Sequence, residues 1–353
     1  MHIKLGQKII DKIRGGEIDK KLLILNKLTI LKYKPLERIF SVKNQQIGAK
    51  QYKVLTILGI KFKFRKYENA LIVRLLGGLG NQMFQYAFGQ ALEKATGKKV
   101  CYDNSWFEES KKSIINEKRE NAHGVVMREC CIDIFNININ FSSVTQVKNC
   151  KNKILETKKL EFDSELLKKR KSTIYEGYFQ NEGYLKNIKD QIKKDFQFPK
   201  ISEKDSFNNT WLNKIHQSEN PVFVHIRRGD YVNLGWDLSS DYYKKAIEYI
   251  KEHVTNPTFF IFGQDCEEYI KEEFKDIDAN FEIIGEENSK NKEDWKDIVL
   301  MEECKHAIIA NSSFSWWAAW LGKSNQEGIV IAPSPWLHNK YSIICDNWIK
   351  IER

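Results

Sequence analysis

Proline, glycine and paired cysteine are scarce in this sequence, and each scarcity excludes a class of protein. Its 353 residues include 6 prolines and 19 glycines, too few for a collagen-like or linker-rich architecture. The 7 cysteines form no C-x-x-C pair and lie near no histidine pair at zinc-finger spacing, so we expect reduced, buried thiols. No run of about 18 apolar residues is present, so no helix is expected to span a bilayer.

The start of the chain has no uninterrupted apolar stretch followed by a small-residue cleavage site, so a secretory signal is not expected. Hydrophobic residues make up 42% and charged residues 29%, which is enough apolar material for a packed core and argues against disorder as the main state. A length of 353 residues suggests two domains, or one large domain with an extension.

Positive charge is concentrated at one end of the chain. The net charge is +10, and residues 1–68 hold 17 basic and 5 acidic side chains, whereas the remainder holds 40 basic and 42 acidic ones. Residues 22–31 place apolar clusters between lysines, a pattern typical of a basic amphipathic helix in a membrane interface. Residues 57–66 alternate apolar and basic side chains, which predicts a strand with one basic face.

Three interpretations of this basic extension are open. Contact with an anionic membrane surface is favoured, because each lysine or arginine near such a surface contributes about 1 kcal/mol. An ordinary packing helix with an edge strand guarded by lysines is the second. Nucleic-acid binding is disfavoured, because the stretch has few aromatic residues on which bases would stack.

The remainder of the sequence alternates predicted strands and helices, the order expected of an α/β fold with parallel sheets. It begins with a strand at 70–75, a Gly-rich loop, a helix at 81–94 and a strand at 100–103. A less regular stretch contains a possible strand at 132–139. Further strands are predicted at 221–226, 258–262, 307–310 and 329–332, with helices at 242–254, 294–305 and 316–321. Each strand from 221 onward ends in a polar turn, and ligands of open α/β sheets bind outside these carboxyl ends.

The turn after the strand at 221–226 carries two adjacent arginines, Arg227 and Arg228. Guanidinium forks match phosphate oxygens, and two of them suit a diphosphate. Asp230 follows and is placed to orient an arginine or to move a proton. An Arg–Asp surface pair is the alternative interpretation.

The turn after the strand at 307–310 is rich in serine and runs into a helix. One serine is explained as a helix cap, and several beside free amides at a positive helix end form an anion site. Trp316 and Trp317 follow, and we expect them in the core rather than as a sugar-binding platform. The loop at 77–82 lets backbone approach a ligand closely, but it is neither G-x-G-x-x-G nor a Walker loop.

Several catalytic classes lack support. The sequence has no G-x-S-x-G elbow and no H-E-x-x-H, and no D-x-D follows a strand. Paired arginines would therefore take the place of a metal ion in neutralising a leaving diphosphate. The residues alone predict an α/β protein that binds a sugar nucleotide or nucleotide.

Four segments in order resemble the bacterial α-1,2-fucosyltransferases of glycosyltransferase family 11: GGLGNQMFQYA (77–87), GYFQ (177–180), HIRRGDY (225–231) and NSSFSWWAAWL (311–321). The resemblance covers about residues 70–340 and leaves the basic extension outside. It implies a GT-B-type fold with two Rossmann-like lobes facing a cleft: an extension at 1–69, an acceptor-side lobe at 70–205 and a GDP-fucose-binding lobe at 206–353. It also implies inverting transfer from GDP-β-L-fucose without a metal or other cofactor.

The resemblance implies roles for individual residues. Arg227 is the expected main diphosphate contact, with Arg228 and His225 in support. Asp230 is the candidate base because it lies at the same strand end as Arg227; the alternatives are that Asp230 only orients Arg227 and that the leaving phosphate accepts the proton. Asp297 is expected to read guanine; a helix-stabilising acid is the alternative. Other expected GDP-fucose contacts are Gly78, Asn81, Gln82, Asp265, Ser312, Ser313, Phe314 and Ser315. Where the family usually has Ser-Asp-Asp, this chain has Gly263-Gln264-Asp265. Of these three positions, only Asp265 keeps the residue that the family uses to contact the donor.

These observations together predict a cytoplasmic enzyme, peripheral on the inner membrane. It is expected to transfer L-fucose to the 2-hydroxyl of a galactose in a lipid-linked surface glycan, such as lipopolysaccharide, O-antigen or capsule. One alternative keeps GDP-fucose and changes the linkage or the acceptor sugar. The other is a non-catalytic nucleotide- or glycan-binding protein.

Overall fold

The computed structural model describes residues 40–47, 50–57, 60–65, 70–116, 127–158, 160–168, 170–263, 266–285, 287–337 and 342–353. The chain divides into two compact units, Met1–Glu68 and Asn69–Arg353. The amphipathic helix predicted at 22–31 lies outside the described residues.

The first unit contains a three-stranded antiparallel sheet in the order β1-β2-β3. Its strands are β1 (Phe40–Ile47), β2 (Lys50–Ile57) and β3 (Ile60–Arg65). We predicted one strand at 57–66, and this was wrong in its start: Ile57 ends β2 and Ile60 begins β3. The period-two alternation continues through both strands, so it did not reveal the boundary between them. Ile60 and Phe62 are exposed, and Lys61 between them points to the other face.

The second unit contains two parallel sheets. The first has the order β5-β4-β7-β6 and consists of β4 (Leu71–Arg74), β5 (Val100–Asp103), β6 (Asn152–Leu155) and β7 (Thr173–Glu176). The predicted strands at 70–75 and 100–103 are confirmed as β4 and β5, whose side chains are almost all buried. β6 has two polar and two apolar residues and is largely exposed, so no apolar run marks it in the sequence.

The possible strand at 132–139 is wrong. Ile132–Ile134 forms a short 3₁₀ turn. The amides of Ile137 and Ile139 donate to the carbonyls of Phe135 (2.7 Å) and Ile137 (3.0 Å), so these donors are satisfied locally rather than by a neighbouring strand. The isoleucines of this segment still pack against the core. Their spacing therefore indicated a segment with one buried side, although the segment is not a strand.

The second sheet has six parallel strands in the order β10-β9-β8-β11-β12-β13. They are β8 (Asn220–His225), β9 (Pro257–Phe262), β10 (Asn280–Gly285), β11 (His306–Ile308), β12 (Val330–Ser334) and β13 (Ile349–Glu352). The four strands predicted from residue 221 onward are confirmed, and the two edge strands are additional. The expected α/β architecture with two parallel sheets is thereby confirmed.

Twelve helices are described: α1 (Leu79–Thr96), α2 (Ser105–Asn116), α3 (Val144–Asn149), α4 (Lys189–Asp195), α5 (Ser206–Gln217), α6 (Gly229–Leu234), α7 (Ser240–His253), α8 (Cys266–Glu273), α9 (Glu287–Lys290), α10 (Trp295–Glu302), α11 (Ser313–Leu321) and α12 (Ser324–Glu327). Across the described part of the chain, each helix is too short or too polar to span a bilayer.

The core joins the two sheets of the second unit through α11. Trp316 and Trp317 are fully buried, and their rings lie 4.6 and 4.7 Å from the ring of Phe84 in α1. Their expected place in the core is confirmed. One apolar cluster contains residues of both sheets. The boundary predicted between residues 205 and 206 stays a prediction.

Candidate active site

Two polar turns of the second sheet lie side by side. β8 and β11 are paired in parallel, with Val222 opposite His306 and Val224 opposite Ile308, so the turns that follow them share one edge. His225 ends β8, and its ring lies 5.8 Å from the ring of Phe314 in α11. The arginine turn and the serine turn therefore meet at the carboxyl end of this sheet, where parallel sheets bind ligands.

The serine turn is the beginning of α11, three residues before the predicted start. Ser312 caps the helix and accepts a hydrogen bond from the Phe314 amide (3.3 Å). The fully buried Ser315 donates to the carbonyl of Ser312 (3.4 Å), so its hydroxyl is engaged within the helix. The first amides of α11 carry the positive end of the helix dipole.

The Gly-rich loop of the first sheet packs directly on this helix start. A Cβ added to Gly80 would lie 2.7 Å from the carbonyl carbon of Ser313, so only glycine allows the approach. Trp317 donates from Nε1 to the Gly80 carbonyl (2.9 Å), and Ser313 Oγ donates to Asn81 Oδ1 (2.8 Å). The structure thus brings the loop at 77–82 and the serine turn together.

Gln82 has a different setting from its neighbour Asn81. It is fully buried and donates to the carbonyls of Gly77 (2.9 Å) and Glu129 (2.8 Å). It accepts from the amides of Cys131 (2.8 Å) and Ile132 (3.2 Å). Its amide therefore holds the Gly-rich loop against residues 129–132, and the donor contact predicted for it stays a prediction.

The two adjacent arginines lie over different rings. The guanidinium carbon of Arg227 is 5.2 Å from the centre of the Tyr231 ring, and that of Arg228 is 4.6 Å from the centre of the Tyr269 ring. Arg228 also lines a surface cavity of about 370 Å³ together with Tyr269 and Glu272. Adjacent in the sequence, the two arginines therefore have separate surroundings in the structure.

Arg227 shares its electrostatic environment with Arg128, which lies far from it in the sequence. Burial raises the pKa of Asp294, and the charges of Arg128 and Arg227 oppose this rise. Arg128 also approaches the Gly-rich loop, with Nη1 at 3.7 Å from the position of a Cβ on Gly78. It comes from the irregular region at 104–170, where no pattern marked it.

His225 is buried at the end of β8, and its Nδ1 has no hydrogen-bond partner. Burial, and secondarily the positive charge of Arg227, lowers the pKa of His225 to about 3. The ring is therefore neutral at ordinary pH. It is suited to a supporting position beside Arg227 rather than to donating a proton.

Asp297 lies in the first turn of α10 at the end of a buried polar chain. Asn288 donates from Nδ2 to Asp297 Oδ1 (2.6 Å), and Asn288 and Asn208 exchange two amide hydrogen bonds of 2.9 and 2.8 Å. Asn208 also donates to Asp205 (2.9 Å), which accepts from Lys296 (2.8 Å). Burial raises the pKa of Asp297 to about 7, Asp294 adds to the rise, and the Asn288 hydrogen bond opposes it.

The side chains of two predicted site residues lie outside the part of the chain that the structure describes. Asp265 lies outside the described residues. Asp230 lies in α6, and its side chain is outside the described part of the structure. Their roles stay predictions.

The segments that carry the site belong to one sequence family. The profile described as Glycosyl transferase family 11 matches residues 41–352. The chain belongs to this family. It is a glycosyltransferase, and the resemblance seen in the sequence is confirmed. The resemblance was expected to begin near residue 70, and this was wrong. The family 11 profile matches from residue 41 onward, so it includes most of the β1–β3 sheet, which we had placed outside the family pattern.

Two relatives each cover about four fifths of this family 11 enzyme, and a third covers a shorter part. An α-1,2-colitosyltransferase from Escherichia coli is 33% identical over 311 residues, covering 80% of this chain and 99% of that relative. The O-antigen biosynthesis glycosyltransferase WbnK from Escherichia coli is 28% identical over 319 residues, covering 78% and 99%. A galactoside α-(1,2)-fucosyltransferase 1 from Lagothrix lagotricha is 24% identical over 151 residues, covering 39% and 40%.

Proposed function

We propose that this glycosyltransferase transfers L-fucose from GDP-β-L-fucose to the 2-hydroxyl of a galactose, with inversion and without a metal ion. The observation that carries the proposal is the meeting of three elements at one edge: Arg227 after β8, the positive N-terminus of α11, and the Gly-rich loop bonded to it through Asn81 and Ser313. A guanidinium and a helix N-terminus are suited to a diphosphate. The partial similarity to a galactoside α-(1,2)-fucosyltransferase supports fucose and galactose as the sugars.

In the proposed reaction, the galactose O2 forms a bond to the anomeric carbon of fucose while the bond from that carbon to the β-phosphate oxygen breaks. The electron pair leaves with GDP. Arg227 and the amides of α11 stabilise the negative charge that develops there, and loss of one such donor typically costs a factor of about 10²–10³ in rate. Asp230 is the candidate that accepts the proton of the 2-hydroxyl, and the leaving phosphate is the alternative acceptor.

A second donor is favoured by one specific observation. The relative that is 33% identical over 80% of this chain is an α-1,2-colitosyltransferase. Colitose is fucose without its 3-hydroxyl, so a pocket for one sugar is similar in shape to a pocket for the other. A site that hydrogen-bonds the 3-hydroxyl would discriminate against colitose strongly, whereas an apolar site would not.

The deciding experiment offers GDP-fucose and GDP-colitose separately with galactose-terminated acceptors in the presence of EDTA, followed by linkage analysis. An α-1,2-fucosyl product in EDTA is the expected result. A product from GDP-colitose alone would replace the donor and keep the linkage. A product of another linkage would overturn the acceptor hydroxyl, and neither transfer nor release of GDP from either donor would overturn the proposed reaction.

We further propose that the acceptor is lipid-linked and that the enzyme works on the cytoplasmic face of the inner membrane, held there by the basic extension. Among the described residues, Lys43 and Lys61 are exposed on the β1–β3 sheet. We expect the full chain to sediment with anionic vesicles and to lose most of this binding in the Lys43→Glu/Lys61→Glu variant. Equal binding to neutral vesicles, or no effect of the charge reversal, would contradict the proposal.

A further inference from the structure

The turn that follows β7 has no role in the proposed chemistry, yet side-chain hydrogen bonds hold its backbone from two sides. Its residues are Gly177, Tyr178, Phe179 and Gln180. Glu156 accepts from the amides of Tyr178 (2.7 Å, Oε2) and Phe179 (3.1 Å, Oε1), which engages both carboxylate oxygens. On the other side, Gln85 donates to the Gly177 carbonyl (3.0 Å).

The backbone of this turn cannot relax easily. A Cβ on Gly177 would lie 2.4 Å from the Cβ of Glu156, so only glycine is accommodated. Phe179 has a φ of 52°, a conformation that non-glycine residues rarely adopt. Its ring is buried and stacks on Phe88 at 3.9 Å. The buried phenylalanine anchors the turn, and the anchoring fixes where the preceding side chain projects.

Tyr178 is that side chain, and it is 38% exposed. Within the turn it is the aromatic residue that faces out of the core. Burial of part of the ring and the charge of Glu156 raise the pKa of its hydroxyl, so the hydroxyl stays protonated at ordinary pH and keeps a donor for a ligand.

The turn is joined to the donor side of the site by a short hydrogen-bond path. Gln180 donates from Nε2 to Asn81 Oδ1 (2.8 Å), and the same oxygen accepts from Ser313 Oγ (2.8 Å). Tyr178 is two residues from Gln180, a separation of at most about 7 Å between Cα atoms. The turn that carries the exposed Tyr178 ring is therefore hydrogen-bonded to the loop that packs on the N-terminus of α11.

We propose that Tyr178 is the platform on which the acceptor hexose binds. The ring would pack against the C–H face of a galactose, where apolar contact and the polar edge of tyrosine combine. The anchored turn would hold the sugar at a defined height relative to the donor, which matters because the attacking hydroxyl must lie within about 3–3.5 Å of the anomeric carbon. The inference rests on the proposed function for the identity of the acceptor, and on the anchored turn and its exposed Tyr178 for the platform.

The test compares Tyr178→Ala and Tyr178→Phe with a matched control, Phe141→Ala. Phe141 is 39% exposed and is bridged to Tyr102 of β5, at the opposite side of β4 from β7. We expect Tyr178→Ala to raise the acceptor KM about tenfold, with the KM for GDP-fucose hydrolysis unchanged. Tyr178→Phe should keep most of the acceptor affinity, since it keeps the ring, and Phe141→Ala should match the wild type.

Direct binding separates this inference from the proposed reaction. Calorimetry with N-acetyllactosamine is performed on the GDP-bound wild type and on each variant, with GDP affinity as the check on folding. Galactoside binding that is lost in Tyr178→Ala supports the platform even if the wild type transfers no fucose, in which case only the proposed reaction fails. Equal galactoside binding by wild type and Tyr178→Ala, or no galactoside binding by the wild type, would overturn the platform.

Discussion

Asn288 donates a hydrogen bond of 2.6 Å to Asp297 at the end of a chain of side chains that also contains the buried Asn208 and the partly buried Asp205. The chain holds the carboxylate of Asp297 at the start of α10. It opposes the effect of burial, which disfavours the charged form. A carboxylate fixed in this way is suited to accept from two neighbouring N–H donors, the arrangement that guanine offers and that uracil and adenine lack.

The first prediction concerns the pH dependence of nucleotide binding. The pKa of Asp297 is raised to about 7, so the carboxylate is ionised above pH 7 and protonated below it. We expect GDP affinity to rise with pH and level off above 7, falling about tenfold per pH unit below it. Stability should change in the opposite sense, since ionising a buried carboxyl costs free energy as pH rises through 7.

Calorimetric titration of GDP between pH 5.5 and 8.5 measures this effect. The β-phosphate also titrates in this range, so the Asp297→Asn variant serves as the control for the phosphate contribution. A wild-type profile parallel to that of the variant would contradict the assignment of Asp297 to the base.

The second prediction concerns the residue behind Asp297. In Asn288→Ala the donor to Asp297 is lost, so the pKa of Asp297 should rise and the midpoint of GDP binding should move to higher pH. The matched control is Asn291→Ala, because exposed Asn291 donates only to Glu287 (3.0 Å). An unchanged midpoint with lower stability would show that Asn288 serves the fold alone.

The third prediction separates the two arginines. Because Arg227 lies beside His225 and within the field of Asp294, Arg227→Ala should lower kcat by about 10²–10³. Arg228→Ala should cost less, since Arg228 lies over Tyr269 at a separate cavity. Steady-state rates of both variants in EDTA measure this, and a larger loss for Arg228→Ala would reverse the ranking.

The fourth prediction distinguishes two roles for Gln82. Its amide makes four hydrogen bonds to backbone groups, and unsatisfied buried groups cost about 1–3 kcal/mol. Gln82→Ala should therefore lower the melting temperature by several degrees and leave GDP affinity nearly unchanged at low temperature. A rise in the Kd for GDP without loss of stability would instead support a donor contact.

Strands were predicted correctly from the sequence where a single local pattern identifies them. β8 and β11 are apolar, β-branched runs buried on both faces, so their identity as strands was evident without any partner. The strands β6 and β13 lie at sheet edges and are only four residues long with exposed positions, too short for an apolar run or a sustained alternation to mark them. The start of α11 was misplaced because Ser313 and Ser315 are common both in loops and in the first turn of helices.

The sequence by itself determined the family, the α/β class and the turns that carry Arg227, Asn81 and Ser312, because these depend on short segments of contiguous residues. Tertiary structure alone decided that Gln82 is occupied by backbone groups, that Arg128 joins the field of Arg227, and that Tyr178 projects from an anchored turn. Each of these depends on contacts between residues far apart in the chain, formed only when two sheets share one core. Local preference has no information about such contacts.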